Sequence, residues 1–283
     1  MNFRRATLAA IATLCASIVG VPAGAAMFPY DRLVVFGDSL SDTGNAGRFS
    51  NGLVWVEYLA DGIGAAVRPA RDGGTNFAVG GARTHGHEFS LRAQVAHFLA
   101  LPAANRLDAR TLVIVYAGAN DLRAAVHAAD RAAVIDHALH HVQAALEDLA
   151  AAGARRFLVP NLPDIGRTPE ARAFGPDWVR EARSLTLKFN AQLEQVLRHV
   201  EGTRSVHIHR LDVFKLLEQA VEDPGRFGFR NVTVPCPYRD GATDACSEYV
   251  FWDDMHPTTF GHARLAEAAL RVLSEEVDSR DSR

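Results

Sequence analysis

Lysine is nearly absent from this chain. Lys188 and Lys215 are the two that occur, and arginine supplies the remaining positive charge. With the abundance of alanine, this is the imprint of a GC-rich coding sequence and says nothing about chemistry. Neither sign of charge is in excess. Lys and Arg total 30 against 33 Asp and Glu, a formal net charge of -3, so the basic surface that nucleic acid or an anionic bilayer selects is missing. Cysteine is scarce, with three in the chain. Past residue 26 no stretch is apolar and long enough to span a bilayer. Repeats, low-complexity segments and linkers are also lacking. What remains is 283 residues, 48% hydrophobic and 22% charged, enough for a normal core in one large domain or two small ones.

The first stretch has the three parts of an export leader. Arg4 and Arg5 form a positive start, Leu8 to Val21 an apolar run, and Pro22-Ala-Gly-Ala-Ala26 a small-residue cleavage region. As a membrane anchor the run is short and dominated by Ala, Gly, Ser and Thr, a poor spanning helix. Cys15 follows Leu14 in the middle of the run, which does not suit a lipid-attachment site. The expectation is a leader over residues 1–26, a mature chain beginning at Ala26 or Met27 and a single domain over 27–283. The protein is expected to be secreted or periplasmic, with no stable membrane anchor after leader removal. Cys15 leaves with the leader. Cys236 and Cys246 then form an even pair in an oxidising compartment, where a bridge across a short loop adds roughly 2–3 kcal/mol. The alternative is two free buried thiols.

Beyond the leader, compact apolar runs alternate with helical periodicity. Arg32-Leu-Val-Val-Phe36, Thr111-Leu-Val-Ile-Val-Tyr116 and Arg156-Phe-Leu-Val159 each end at turn residues and suit buried parallel strands; Ser205 to Leu211 alternates. Asp130 can cap a helix carrying Val134, Ala138, Val142, Ala145 and Leu149 at helical spacing, with Gly153 as its stop. Trp178 to Val200 has the same period. Pro257 to Val277 reads as a last helix with Pro257 near its first turn, followed by a frayed polar tail from Asp278. Alternating strands and helices predict an α/β sheet with helices on both faces, and ligands in such sheets bind beyond the carboxyl ends of strands.

The chemically informative segments fall at those ends. Gly37-Asp38-Ser39-Leu40-Ser41 follows the first strand and offers either a nucleophilic hydroxyl or a helix-capping serine. Near the other end, Asp253-Asp254-Met255-His256-Pro257 places an acid three residues before a histidine in a turn. In that turn the carboxylate can fix the imidazole tautomer and stabilise the imidazolium. Asn120, in Gly118-Ala119-Asn120-Asp121 after another strand, is either an oxyanion donor or the asparagine of a local turn. Asn76 to Ala82 supplies a glycine turn whose backbone N–H groups are further donors.

Taken together these segments resemble the blocks of the GDSL family, also called SGNH hydrolases, and occur in the family's order. Phe36 to Asn45 resembles the first block, with Ser39 as nucleophile; Asn76 to Ala82 the second, with a glycine N–H for the oxyanion; Gly118 to Asp121 the third, with Asn120 as donor; and Phe251 to Thr258 the last, with Asp253 and His256 completing a triad. Either Gly80 or Gly81 can hold the oxyanion position, and Gly81, sixth from Asn76, is favoured. Trp55, Asn161-Leu-Pro-Asp-Ile-Gly166 and Phe227 to Cys236 resemble the secreted branch, which includes bacterial esterases, lecithinase-like phospholipases and lipid acyltransferases. The resemblance implies a three-layer α/β/α sandwich with a mainly parallel, flavodoxin-like sheet. Residue 41 is serine, so the Gly-x-Ser-x-Gly elbow of α/β-hydrolases is not present.

Other histidines carry less. His137, His140 and His141 lie on one expected helix, with His137 and His141 four apart, but a zinc site needs a third ligand that the local sequence does not offer, and a solvated helix face is expected. His85 and His87 read as a surface loop that can border the cleft; His207 and His209 read as partly buried or edge residues of a strand. The expected activity is hydrolysis of a small-molecule or lipid carboxylic ester through an acyl-serine, by a monomer without metal or organic cofactor and without nucleic-acid partner. Acyl transfer to an alcohol shares the first half-reaction. A non-catalytic lipid- or glycan-binding module would have no need to keep Ser39, Asn120, Asp253 and His256 together.

Overall fold

The computed structural model describes residues 28–102, 107–238 and 243–281. The expected leader and the start of the mature chain lie outside the described residues. Four strands form one parallel sheet in the order β1 (Arg32–Gly37), β2 (Thr111–Tyr116), β3 (Arg156–Pro160) and β4 (His207–Leu211). Every residue of β2 is buried, the condition of a strand covered on both faces.

The second block extends this sheet. The segment 75–79 runs beside the free edge of β1: Val35 N–H donates to Thr75 O, Phe77 N–H to Val35 O and Val79 N–H to Gly37 O. The spatial order is therefore segment 75–79, β1, β2, β3, β4, the flavodoxin-like pattern in which the strand order reverses beside the first strand. Ligands bind at that reversal, outside the carboxyl ends of the two central strands. Ser39 follows β1 and Asn120 follows β2, so the topology alone places them at one crevice.

Helices complete the layers. α1 (Trp55–Ile63) packs on α8 (Thr259–Asp281), while α2 (Leu91–Leu99), α4 (Arg131–Ala151) and α6 (Pro176–Thr203) pack in a row. α4 begins as the sequence predicts: the Asp130 carboxylate accepts the Ala133 N–H at 2.9 Å, satisfying one orphan donor of the first turn. Its buried face is wider than expected, because Ile135, Leu139 and Leu146 join Ala138, Val142, Ala145 and Leu149, while Val134 is only half-buried. The remaining helices are α3 (Ala119–Ala125), α5 (Pro169–Phe174) and α7 (Val213–Glu222). Trp55 is fully buried between layers, and its indole N–H donates to Ser41 Oγ at 3.0 Å.

Three local expectations change. Pro257 lies before α8, not in its first turn; Thr258 begins the helix by accepting the Gly261 N–H on its hydroxyl and the His262 N–H on its carbonyl. The backbone from Asp278 to Asp281 continues α8 in place of a frayed tail. Strand β4 starts at His207, two residues late, and His209 is buried with its Nε2 hydrogen-bonded to the Tyr30 hydroxyl at 2.7 Å.

A second parallel pair, β5 (Asn231–Pro235) and β6 (Tyr249–Phe251), stands apart from the main sheet. Its few residues bury Phe229, Val232, Val250 and Phe251 in a small satellite cluster with Ala220. A pair of such short strands is marginal alone. Here Cys236 and Cys246 are joined by a disulfide, and the Cys236 N–H donates to Phe251 O at 2.8 Å. The bridge thus fastens the strand that feeds the turn containing Asp253 and His256. Replacing both cysteines by alanine is expected to lower unfolding free energy by roughly 2–3 kcal/mol, read by chemical denaturation. Alkylation of the native protein without reductant should leave its intact mass unchanged, and two added alkyl groups would contradict the bridge.

Candidate functional site

Strand β1 must end on glycine. A Cβ at Gly37 would fall 2.4 Å from the Tyr116 carbonyl oxygen of the neighbouring strand. The Gln94 side chain holds this strand end from both sides, accepting the Gly37 N–H at 2.9 Å and donating to its carbonyl at 2.8 Å. The chain then turns, with Ser41 and Asp42 N–H groups donating to Asp38 O, and Ser39 sits in the turn, not at a helix cap.

His256 arrives from the far end of the sequence. Its Nε2 is 2.9 Å from Ser39 Oγ, and its Nδ1 is 2.7 Å from Asp253 Oδ2. The other oxygen, Asp253 Oδ1, accepts backbone N–H groups of Met255 and His256 at 2.8 and 2.6 Å. Burial alone would raise the Asp253 pKa. The His256 hydrogen bond and charge, with those two N–H groups, outweigh burial and hold it below the ordinary value. An ionised Asp253 draws the imidazole proton to Nδ1 and leaves the Nε2 lone pair facing the Ser39 hydroxyl. Asp254 is exposed, and its backbone carbonyl accepts the Glu170 N–H at 2.8 Å.

The donor side is built on Asp42. Its Oδ1 accepts N–H groups of Gly44 and Asn45, and its Oδ2 accepts those of Ala46 and Gly80. Gly80 therefore has its N–H committed, whereas the N–H of Gly81 has no acceptor among the described residues. Gly81 also has φ +77°, the left-handed region that favours glycine. The Ser39 N–H is likewise without an acceptor among the described residues. Asn120 lies in the first turn of α3, and its amide donates to Ala82 O at 2.9 Å, which leaves its second N–H uncommitted among these residues. The turn before it needs Gly118, at φ +122°, where a Cβ would strike the Phe189 ring at 2.5 Å.

Several contributors escaped the sequence reading. Phe49 places its ring 5.3 Å from the His256 ring and occupies the space a Gly80 side chain would need, with ring atoms 2.1 Å from an added Cβ. Nothing in its spacing marks it. Asn45 and Asn76 bind the two blocks together: Asn45 Nδ2 donates to Asn76 O and Ala78 O, and Asn76 Nδ2 donates to Ser41 O. Both lay inside recognised blocks without an assigned task. Ser39 and His256 open onto a cavity walled mainly by apolar side chains, among them Leu40, Trp178, Leu216, Leu217, Phe229 and Phe251. Arg123 and Glu170, paired through two hydrogen bonds of 2.9 and 2.6 Å, mark its polar edge.

The chain has relatives among known proteins. The family model described as GDSL-like lipase/acylhydrolase matches residues 33–269. The chain is 26% identical to Lipase 1 of Photorhabdus luminescens, over 87% of this chain and 50% of that protein. It is 29% identical to the thermolabile hemolysin of Vibrio parahaemolyticus, over 87% of this chain and 65% of that one. It is 26% identical to a phosphatidylcholine-sterol acyltransferase of Aeromonas hydrophila, over 88% of this chain and 92% of that one. The chain thus spans half the length of the first relative and just under two thirds of the second. Among solved structures, an acetylxylan esterase from Geobacillus stearothermophilus superposes with a TM-score of 0.54 at 14% identity, covering 87% of this chain and 96% of that one. At that identity the likeness is one of fold.

Beside Ser39, burial pushes Asp38 from 3.8 up to about 7; the Leu40 N–H and the nearby His256 partly oppose this, and Asp121 adds to it. Between the two values the folded state keeps a proton that the unfolded state has lost. Stability from this group is therefore full below the unfolded value and falls as pH rises, by at most about 1.4 kcal/mol per pH unit. Asp38→Asn abolishes the titration. The unfolding free energy of the native protein minus that of the variant is expected to decline from about pH 5 to pH 7, measured by urea titration. A flat difference would mean that Asp38 is ionised throughout.

Proposed function

The chain belongs to the GDSL-like lipase/acylhydrolase family, and on that premise we propose that it hydrolyses carboxylic esters through an acyl intermediate on Ser39. The observation that carries this reading is the continuous relay from Ser39 Oγ to His256 Nε2 at 2.9 Å and from Nδ1 to Asp253 at 2.7 Å, at the mouth of an apolar cavity. His256 takes the Ser39 proton as Oγ attacks the acyl carbonyl. The imidazolium is stabilised by Asp253. Negative charge on the carbonyl oxygen is received by the N–H groups of Ser39 and Gly81 and by the Asn120 amide, each uncommitted on that side. Such donors are worth about 3–4 kcal/mol apiece to the transition state. Collapse expels the alcohol with the proton from His256, and water repeats the sequence to release the acid. No step of this route calls on a metal or an organic cofactor.

The apolar walls favour an ester whose acyl chain is aliphatic, with its polar remainder near Arg123 and Glu170. Transfer of the acyl group to an acceptor alcohol is the second reading; the likeness to an acyltransferase over 92% of its length supports it. The two differ only in what attacks the acyl-serine. We further propose that residues 1–26 are an export leader and that 27–283 form the catalytic domain. The disulfide suits an oxidising compartment, and among the described residues no helix is long and apolar enough to cross a membrane.

Ser39→Ala is expected to lower kcat by about three orders of magnitude or more with the circular dichroism spectrum unchanged. Asp253→Asn should cost on the order of a hundredfold to ten-thousandfold, whereas Asp254→Asn should stay within a few-fold of the native enzyme. If the Asp254 variant is the more damaged, the acid has been misassigned.

A series of p-nitrophenyl esters tests the cavity. kcat/KM is expected to rise with acyl length from acetate, by at most about fourfold per methylene, the value of one fully buried CH2. A maximum at acetate would argue for a sugar-acetate substrate and against an acyl chain in the cavity.

A further inference from the structure

The fold supplies the third histidine that the sequence of α4 did not offer. The loop after the second block brings His85 onto the face of α4 that carries His137 and His141. The ring centroids lie 4.1 Å apart for His85 and His137, 4.4 Å for His85 and His141, and 4.7 Å for His137 and His141. We propose that His85, His137 and His141 form a binding site for a divalent transition-metal ion of the zinc class, with three imidazole ligands and a fourth position open to solvent.

The geometry is close to what such an ion requires. One nitrogen from each ring lies within 4.8 Å of the other two. Tetrahedral zinc with Zn–N bonds of about 2.0–2.1 Å holds its nitrogens about 3.3 Å apart. The Nε2 atoms of His137 and His141 are already at 3.3 Å, joined by one ring N–H donating to the other ring's lone pair. Side-chain adjustments of at most about 1.5 Å bring the remaining pairs to that spacing. Histidines four apart on a helix present their rings on one side of it, so α4 supplies a rigid half-site.

The surroundings orient the third ligand. The Thr84 hydroxyl donates to Asp121 Oδ1 at 2.9 Å and stands 3.4 Å from His85 Nδ1. With its hydrogen given to Asp121, the Thr84 oxygen can accept from Nδ1, which leaves the Nε2 lone pair for a ligand bond. A carboxylate behind a ligating imidazole, here relayed through a hydroxyl, is a common second layer of metal sites. Among the described residues, no carboxylate is hydrogen-bonded directly to any of the three rings. His85 and His141 are half-buried and His137 is exposed, which leaves a way in for an ion.

A bound ion would join the 83–87 loop to α4. That loop leaves directly from Ala82, whose carbonyl holds the Asn120 amide. The ion would thus brace the donor side of the Ser39 site from behind without touching substrate.

The test uses the protein without a polyhistidine tag, titrated with zinc chloride and separately with nickel chloride by calorimetry. One ion per chain is expected, with a dissociation constant of about 10 μM or tighter, and a melting temperature raised by roughly 5 °C at hundredfold excess of free ion over that constant. His85→Ala and His137→Ala should each weaken binding at least about tenfold, whereas His199→Ala, on α6 and outside the cluster, should not. Imidazole nitrogen NMR guards against misfolded variants: zinc should move the His85, His137 and His141 resonances together in the native protein. No saturable uptake up to about 100 μM free zinc, or undiminished binding by His85→Ala, would overturn the proposal.

Discussion

One carboxylate ties the loop after Ser39 to the glycines across the crevice. Asp42 accepts four backbone N–H groups, three from its own loop and one from Gly80 across the crevice. Without those acceptances four backbone donors of half-buried or exposed residues would turn to solvent, and the loop after Ser39 would lose its tie to Gly80. The bond to Gly80 does something further. It consumes the N–H of one glycine and turns the next, Gly81, so that its N–H stays unspent. Asn45 and Asn76 repeat the connection with side-chain amides, and the segment 75–79 lies on the edge of β1. The Ser39 turn and the Gly80–Gly81 loop are therefore one hydrogen-bonded body, joined by the side chains of Asp42, Asn45 and Asn76 and by the backbone bonds of segment 75–79 to β1.

The imidazole of His256 is positioned by a different set of constraints. His256 is held by Asp253 within its own turn, by the Phe49 ring beside it, and by α8 behind it. The chain around Phe49 also reaches α8: Ser50 Oγ donates to Pro257 O, and Asn51 Oδ1 accepts the Thr259 N–H. Phe49 touches both halves, lying over Gly80 and against His256. A larger residue at 80 would displace that ring, and with it the imidazole. This explains why the two adjacent glycines are not interchangeable: Gly80 is small to admit an aromatic ring, and Gly81 is small to permit its backbone angle.

Much of this was legible beforehand because it is local. The buried strands were continuous apolar runs, the α4 cap was an aspartate at the right offset, and Ser39, Asn120, Asp253 and His256 lay in short segments at strand ends or turns. The order of those segments named the family, and the family implied a flavodoxin-like sheet. Features made by distant chain segments were not legible. The β5–β6 pair is too short to show a period. Phe49 sits in a loop without pattern. The third histidine lies 52 residues before His137 in sequence, and only the docking of the 83–87 loop on α4 brings them together. The start of α8 was displaced because Thr258, which caps through its hydroxyl, competes with the general preference for proline in a first turn.

The separation of 217 residues between Ser39 and His256 has a consequence for biosynthesis. The ribosome makes Ser39 early and the Asp253–His256 turn late, just before α8. A chain still being translated holds that serine without its imidazole partner. The contact of 2.9 Å between Ser39 and His256 forms only when the Asp253–His256 turn docks beside the end of the first strand, after most of the chain has been made. Order along the polypeptide thereby acts as a timer: the reaction proposed for Ser39 needs a partner that the chain supplies late.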